Sequence, residues 1–283
     1  LSLRLRLATT NAGSGGCPGR VLRVLWLPAL WEMMAALRPR ALESSNAREH
    51  LAALGYASTV EYVAAMSARV LKETGLLPHT NAGLLSAREM AALREVSASQ
   101  GLMLESTSAR LLERGGAHAG CATKAPKLRL QTIERAGRLA VPFTTGLLLG
   151  LGETRADVIE ALLEIRRLHA RWGHVQEVIV QPFRAKQGTR MEASADLPEG
   201  ELLWAVAAAS LVLGGDVPVQ SPPNLVAGEP AALRRLLACG VADWGGISPG
   251  VTADHVNPEA AWPEVAALRA ATEAAGLTLA ARL

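Results

Sequence analysis

From about His50 onward the chain alternates short apolar runs with longer segments in which apolar residues recur every three or four positions. The runs are LLPHT (76–80), GLMLES (101–106), VPFTTGLLL (141–149), QEVIVQ (176–181), VPVQ (217–220) and VADWGGI (241–247). Strands buried on both faces have this near-continuous apolar character. The segments between them read as amphipathic helices. Ser86 and Glu89 form a capping box at the head of SAREMAALREVS, and Thr154 and Asp157 form another, after which Val158, Leu162, Ile165 and Leu168 repeat as one stripe. Alternation of strand and helix implies a parallel sheet with right-handed crossovers. Six strands at this spacing predict an α/β fold, a (β/α) barrel or most of one.

Composition narrows the class. The chain has 283 residues, 49% of them hydrophobic, enough for one large domain with a sizeable core. Its formal charge of +3 comes from basic residues scattered along helices rather than gathered in a stripe, so a small-molecule partner is expected, with no nucleic acid and no membrane. Cys17, Cys121 and Cys239 lie too far apart for a disulfide framework or a C-x-x-C metal site, which fits the cytoplasm or another reducing compartment. The longest apolar stretch is interrupted at Gly150, Gly152 and Glu153, short of a membrane span.

In such barrels the chemistry sits where strands hand over to helices at their C-terminal ends. His79, Thr80 and Asn81 end the first strand, Glu105, Ser106 and Thr107 the second, and a glycine turn with Glu153 the third. Gln181, Arg184 and Lys186 follow the fourth, Gln220 and Asn224 the fifth, and Asp243, Trp244 and Ser248 lie on the last. Blander readings stand beside these. Glu153 favours a helix dipole, Asn81 next to Gly83 suits a turn, a lone His79 suits a hydrogen-bonded core position, and Trp244 reads as core. His118, His169 and His174 receive no role. The turn itself, TTGLLLGLGET, is not a dinucleotide fingerprint, because Arg155 occupies the place of the third glycine.

The stretches LLPHTNAG, GLMLESTS, VPFTTGLLLGLGET, QEVIVQPFRAKQGT, VQSPPNL, DWGGISP and DHVNPEAAWP together resemble the radical S-adenosylmethionine (SAM) enzymes. Within them, the chain resembles the synthases that form the deazaflavin FO, 7,8-didemethyl-8-hydroxy-5-deazariboflavin, and specifically the first of the two radical-SAM modules that FO formation needs. The resemblance implies a TIM-like radical-SAM barrel, SAM and a [4Fe-4S] cluster as cofactors, and 5-amino-6-ribitylaminouracil and a tyrosine-derived unit as substrates. It implies the second radical-SAM module as a partner. Gly146, Leu148, Gly150 and Glu153 match the family pattern G-x-I-x-G-x-x-E, with Leu for Ile, which holds the adenosyl group. Glu105 and Ser106 are similar to residues that meet the ribose and methionine portions. By the same resemblance His79, Asn81, Arg184, Lys186, Asn224 and Asp243 would face the ribitylaminouracil. Another radical-SAM synthase of the biotin or menaquinone type, or a non-catalytic remnant, is the alternative.

Two departures shape the expectation. The C-x-x-x-C-x-x-C loop that gives the family's cluster its three thiolates is absent from the sequence, and Pro182 stands where the family usually has Asn. Residues 1–45 do not resemble the family where its first two strands belong; they carry four arginines before the first acidic residue, Glu32. That composition suits an organelle transit peptide and also misread coding sequence, the latter favoured because it accounts for the missing motif. Residues 1–45 are therefore expected to be atypical and poorly ordered, with one strand-like run, VLRVLWL (21–27), and residues 46–283 to form a barrel that is incomplete at its N-terminal end.

Overall fold

A computed structural model describes residues 3–8, 45–226, 229–247 and 260–281. Strand β1 (Leu3–Ala8) is followed by helices α1 (Ser45–Ala53) and α2 (Thr59–Thr74), then β2 (His79–Thr80), α3 (Ala87–Arg94) and β3 (Ser99–Gly101). Next come α4 (Pro126–Arg138), β4 (Phe143–Leu149), α5 (Arg155–Trp172), β5 (Val175–Pro182), α6 (Glu199–Leu213) and β6 (Val219–Gln220). The chain closes with α7 (Pro230–Ala238), β7 (Val241–Ile247), α8 (Val265–Ala274) and β8 (Thr278–Ala281).

Strands β2 to β7 form six parallel neighbours in sequence order, as the alternating pattern requires. The sheet continues through β1 and ends at β8, both antiparallel to their neighbours. Among the described residues β2 and β8 terminate the ladder, so the sheet curves without closing. The N-terminal strand is not the expected one. It is LRLRLA at 3–8, and it fills a place beside β7 rather than preceding β2, while VLRVLWL (21–27) lies outside the described residues.

Local chemistry sets the element ends. The side chain of Ser86 accepts from the Glu89 backbone N–H and that of Thr154 from Asp157, and both capping boxes are complete. Gly173 and Gly214, at φ of 63° and 64°, end α5 and α6 in the left-handed conformation that glycine adopts without penalty. The stripe of α5 buries Val158, Ala161, Leu162, Ile165 and Leu168, joining Ile133, Val178 and Val206 in one core. Each fully buried Leu or Ile there contributes roughly 1.5–3 kcal/mol. Trp244 is fully enclosed, its Nε1–H donating to Thr272 Oγ1 at 3.2 Å, and His174 donates from Nε2 to Ile133 O at 2.9 Å. Burial pushes the His174 imidazole below its usual range, so it serves as a neutral core residue. No helix among the described residues is long and apolar enough to cross a membrane.

Candidate functional site

The concave side of the sheet encloses a cavity of about 260 Å³. Alternate residues of a strand face the same side; on β5 these are Glu177, Ile179 and Gln181, and all three line it. His79 and Asn81 join from the end of β2, Gly101 and Met103 from β3 and the residues after it, Thr144 from β4, Gln220 from β6 and Gly246 from β7. Glu177 is only 1% exposed and accepts from Thr144 Oγ1 at 2.8 Å. His79 Nδ1 shares a 2.7 Å hydrogen bond with Ser99 Oγ.

Glycines clear the space these side chains occupy. A Cβ on Gly101 would lie 2.9 Å from His79 Nε2, and one on Gly245 (φ 77°) would overlap the Gln220 amide, 2.7 Å from its Cδ. Gly146 was expected to open room for a ligand. Its Cβ position is instead taken by β5, in collision with the Ile179 carbonyl oxygen and 2.8 Å from both Ile179 Cβ and Met103 Cε. Strand packing is by itself enough to require glycine at position 146.

Glu105 anchors a second, buried polar cluster. Its backbone is held against β4, donating to Gly146 O at 2.9 Å and accepting from Leu148 N at 3.1 Å. Its φ of 66° is left-handed, uncommon for a residue other than glycine. The carboxylate, 8% exposed, meets Arg129 Nη1 at 3.0 Å, His118 Nε2 at 3.0 Å and the Lys124 ammonium. Arg129 also donates to Thr123 O at 3.0 Å and to Met103 O. Burial by itself would raise the Glu105 pKa, but the His118 hydrogen bond and the Arg129 and Lys124 charges outweigh it and hold the group at about 2, against an ordinary 4.5. Ser106, equally buried, accepts at Oγ from Ser108 N at 3.1 Å.

A titration consequence follows. A carboxylate whose pKa is depressed on folding contributes stability that is complete above about pH 4.5 and disappears as pH falls toward 2, on the order of 3 kcal/mol here. Denaturant melts of the wild-type protein across that window should show the loss, and Glu105→Gln should flatten it. An equally steep acid limb in the variant would remove Glu105 as its source.

The turn after β4 is self-contained. Glu153 accepts from Gly150 N at 2.7 Å through one oxygen and from Leu151 N at 2.8 Å through the other, while Gly150 and Gly152 take φ of 92° and 107°. Glu153 thus fixes the turn with both oxygens, and Leu148, half-buried, pairs with Gln181 across the ladder. Among the remaining expected positions, Arg184 is committed to Asp196 and to Leu225 O. Lys186 is half-buried beyond β5. Asn224 is buried and donates to Ala260 O at 3.3 Å, and Asp243 is fully buried with Oδ1 accepting from Gly245 N at 2.7 Å. Of the strand-end residues singled out in the sequence, His79, Asn81, Gln181 and Gln220 line the cavity itself.

The sequence reading passed over Glu177, Thr144 and the His118–Lys124–Arg129 set. Glu177 carried a usable signal, an acidic residue inside an otherwise apolar strand, where charge is rarely buried without purpose. His118, Lys124 and Arg129 carried none, since only the tertiary structure brings them to Glu105.

The residues do not fit an iron–sulfur cluster. Cys121 is exposed, Cys239 caps α7, and Cys17 lies outside the described residues. Among the described residues no group of three or more His, Cys, Asp or Glu could hold a metal ion.

No family model matches the sequence. The fold matches HydG, a maturase of the [FeFe]-hydrogenase, with a TM-score of 0.55 at 12% identity over 65% of this chain and 41% of that one. Methylornithine synthase, PylB, gives 0.52 at 17% identity over 64% of this chain and 50% of that one. Six parallel strands curving around polar strand ends thus define an incomplete (β/α) barrel, the fold shared with these two proteins. The chain is 49% identical over 238 residues, 84% of its length and 70% of the relative's, to 7,8-didemethyl-8-hydroxy-5-deazariboflavin synthase of Methanopyrus kandleri. It is 51% identical over 239 residues to FO synthase of Mycobacterium tuberculosis, spanning 28% of that longer protein. The chain belongs to the FO synthase family.

Proposed function

We propose that this chain supplies the substrate-facing barrel for formation of the deazaflavin FO from 5-amino-6-ribitylaminouracil and a tyrosine-derived unit. The observation that carries this reading is the cavity lining. Thr144, Glu177, Gln181, Gln220 and His79 mix donors and acceptors on one concave face, as a polyol joined to a pyrimidinedione requires. SAM would lie toward Glu105 and Ser106 and the turn of Gly146, Leu148, Gly150 and Glu153. Glu153 shapes the turn there and Gly146 admits β5. Arg184 positions the loop after β5 through Asp196, and Asn81, Lys186, Asn224 and Asp243 border the ribityl side. The second radical-SAM module is the expected partner, as the family resemblance implies.

Radical formation in this class starts from a [4Fe-4S] cluster bound by three thiolates. The three cysteines of this chain lack that spacing, so no step is assigned to a cluster held by its own residues. The cysteine pattern favours a binding role, with the radical generated by thiolates from elsewhere. Two measurements test the reading: anaerobic iron and sulfide reconstitution, and calorimetric titration with 5-amino-6-ribitylaminouracil and with SAM. A protein that stays free of iron yet binds both ligands is the expected result. About four irons per chain would overturn the binding-only role, and a folded protein that binds neither ligand would overturn the function.

A further inference from the structure

We propose that Gln220 is a specificity-determining residue whose carboxamide pairs with the ring edge at N3 of the pyrimidinedione, an inference that rests on the function proposed above. On β6, Gln220 has Ile179 of β5 as its ladder partner on one side and Asp243 of β7 on the other, and it lines the cavity together with Ile179. It is 8% exposed, yet among the described residues no hydrogen bond joins its carboxamide to the protein. An amide withdrawn from bulk water costs free energy unless its donors and acceptor are met, and most buried side-chain polar groups have a partner. This one opens on the cavity, so the partners come from whatever fills it.

The amide is held in place without its hydrogen bonds being used up. Gly245, at φ 77°, leaves the room it occupies: a Cβ there would overlap Nε2 and lie 2.7 Å from Cδ and 3.3 Å from Oε1. A carboxamide presents an N–H donor and a C=O acceptor side by side in one plane. A lactam edge, N–H next to C=O, presents the complementary pair, so two hydrogen bonds form at once, whereas the hydroxyls of a ribityl chain would take them singly. The pyrimidinedione has such edges at N1 and N3. The edge at N3 lies away from C5 and C6, the carbons that carry the amino groups, so holding it leaves those carbons uncovered. Leu102, Met103 and Ile179 line the same cavity and offer apolar surface to the ring faces. If Gln220 served only to fill the space beside Gly245, methionine would do as well, being unbranched and adaptable in shape.

Calorimetric titrations of wild type and Gln220→Met with 5-amino-6-ribitylaminouracil and with its N3-methyl analogue, alongside thermal melts, decide the matter. The expected result is a loss of about tenfold or more for the parent compound in the variant, about 1.4 kcal/mol, with the melting temperature unchanged or higher. Methylation at N3 should cost the wild type a similar loss and cost the variant little more, because groups that meet each other give losses that do not add. Unchanged affinity in Gln220→Met overturns the inference while leaving the proposed function standing. So do losses that add, which would put the amide against another part of the ligand, and so does a variant that melts well below wild type or fails to fold, which would make the amide structural. A folded wild-type protein that binds no ribitylaminouracil overturns both the inference and the function.

Discussion

Gly146→Val is expected to leave little folded protein at 25 °C. Gly146 pairs with Ile179 in the longest parallel ladder of the sheet, and a Cβ there would collide with the Ile179 carbonyl oxygen and approach Ile179 Cβ and Met103 Cε to 2.8 Å. Met103 could swing aside, but a backbone carbonyl of β5, a strand laddered on both sides, cannot. Overpacking costs roughly 1–3 kcal/mol where neighbours yield. Where backbone must move, a loss above about 4 kcal/mol is expected, a large part of the 5–15 kcal/mol that holds a typical domain together. Gly146→Ala should be nearly as damaging, since the first carbon causes the collision. Gly150→Ala should be milder: its nearest neighbour is a side-chain atom at 3.4 Å, leaving only the strain of φ 92°, roughly 1–2 kcal/mol. Circular-dichroism melts of the soluble fraction would show the order. A Gly146→Val protein melting within a few degrees of wild type would refute it.

Arg129→Met is expected to cost about 3–5 kcal/mol, the range for removing one partner of a buried ion pair. Arg129 is 6% exposed and joins Glu105 to the carbonyls of Thr123 and Met103, so its loss strands several acceptors at once. Lys124 meets the same carboxylate, but its side chain is 32% exposed and water can replace it; Lys124→Met should cost about 1 kcal/mol or less. Adding Glu105→Gln to Arg129→Met should recover part of the loss, because the uncompensated charge goes with it. Urea melts of the three variants measure these differences. Equal losses for Arg129→Met and Lys124→Met would show that burial does not set the strength of this cluster.

What was legible in the sequence follows from the physics of each element. β7 was read residue for residue, and β4 and β5 nearly so, because they are long and buried on both faces. GLMLES was read as a strand through Ser106, yet the ladder ends at Gly101. The left-handed Glu105 turns the chain aside and leaves a single bridge to Leu147. β2 and β6 shrink to two residues because Pro78 and Pro218 precede them and Pro222 follows β6, and proline lacks the N–H a ladder needs. LRLRLA alternates with a period of two, a strand signal that was present but read only as basic composition. In the site, the strand-end rule found His79, Asn81, Gln181 and Gln220. It missed Glu177 and Thr144, which lie deeper along their strands and face inward by alternation. Arg184 stands among the residues the resemblance turns toward the ribitylaminouracil; folded, it donates to Asp196 and Leu225 O.

The brevity of β2 bears on how the protein behaves at high concentration. An exposed strand at the margin of a sheet is a template on which another chain can add itself, and long, flat margins seed aggregation. Among the described residues an incoming strand at this margin would find only His79 and Thr80 in extended register, with Pro78 unable to donate just before them. A margin that short gives a would-be neighbour too few hydrogen bonds to hold it, so the β2 side of the sheet resists stacking edge to edge.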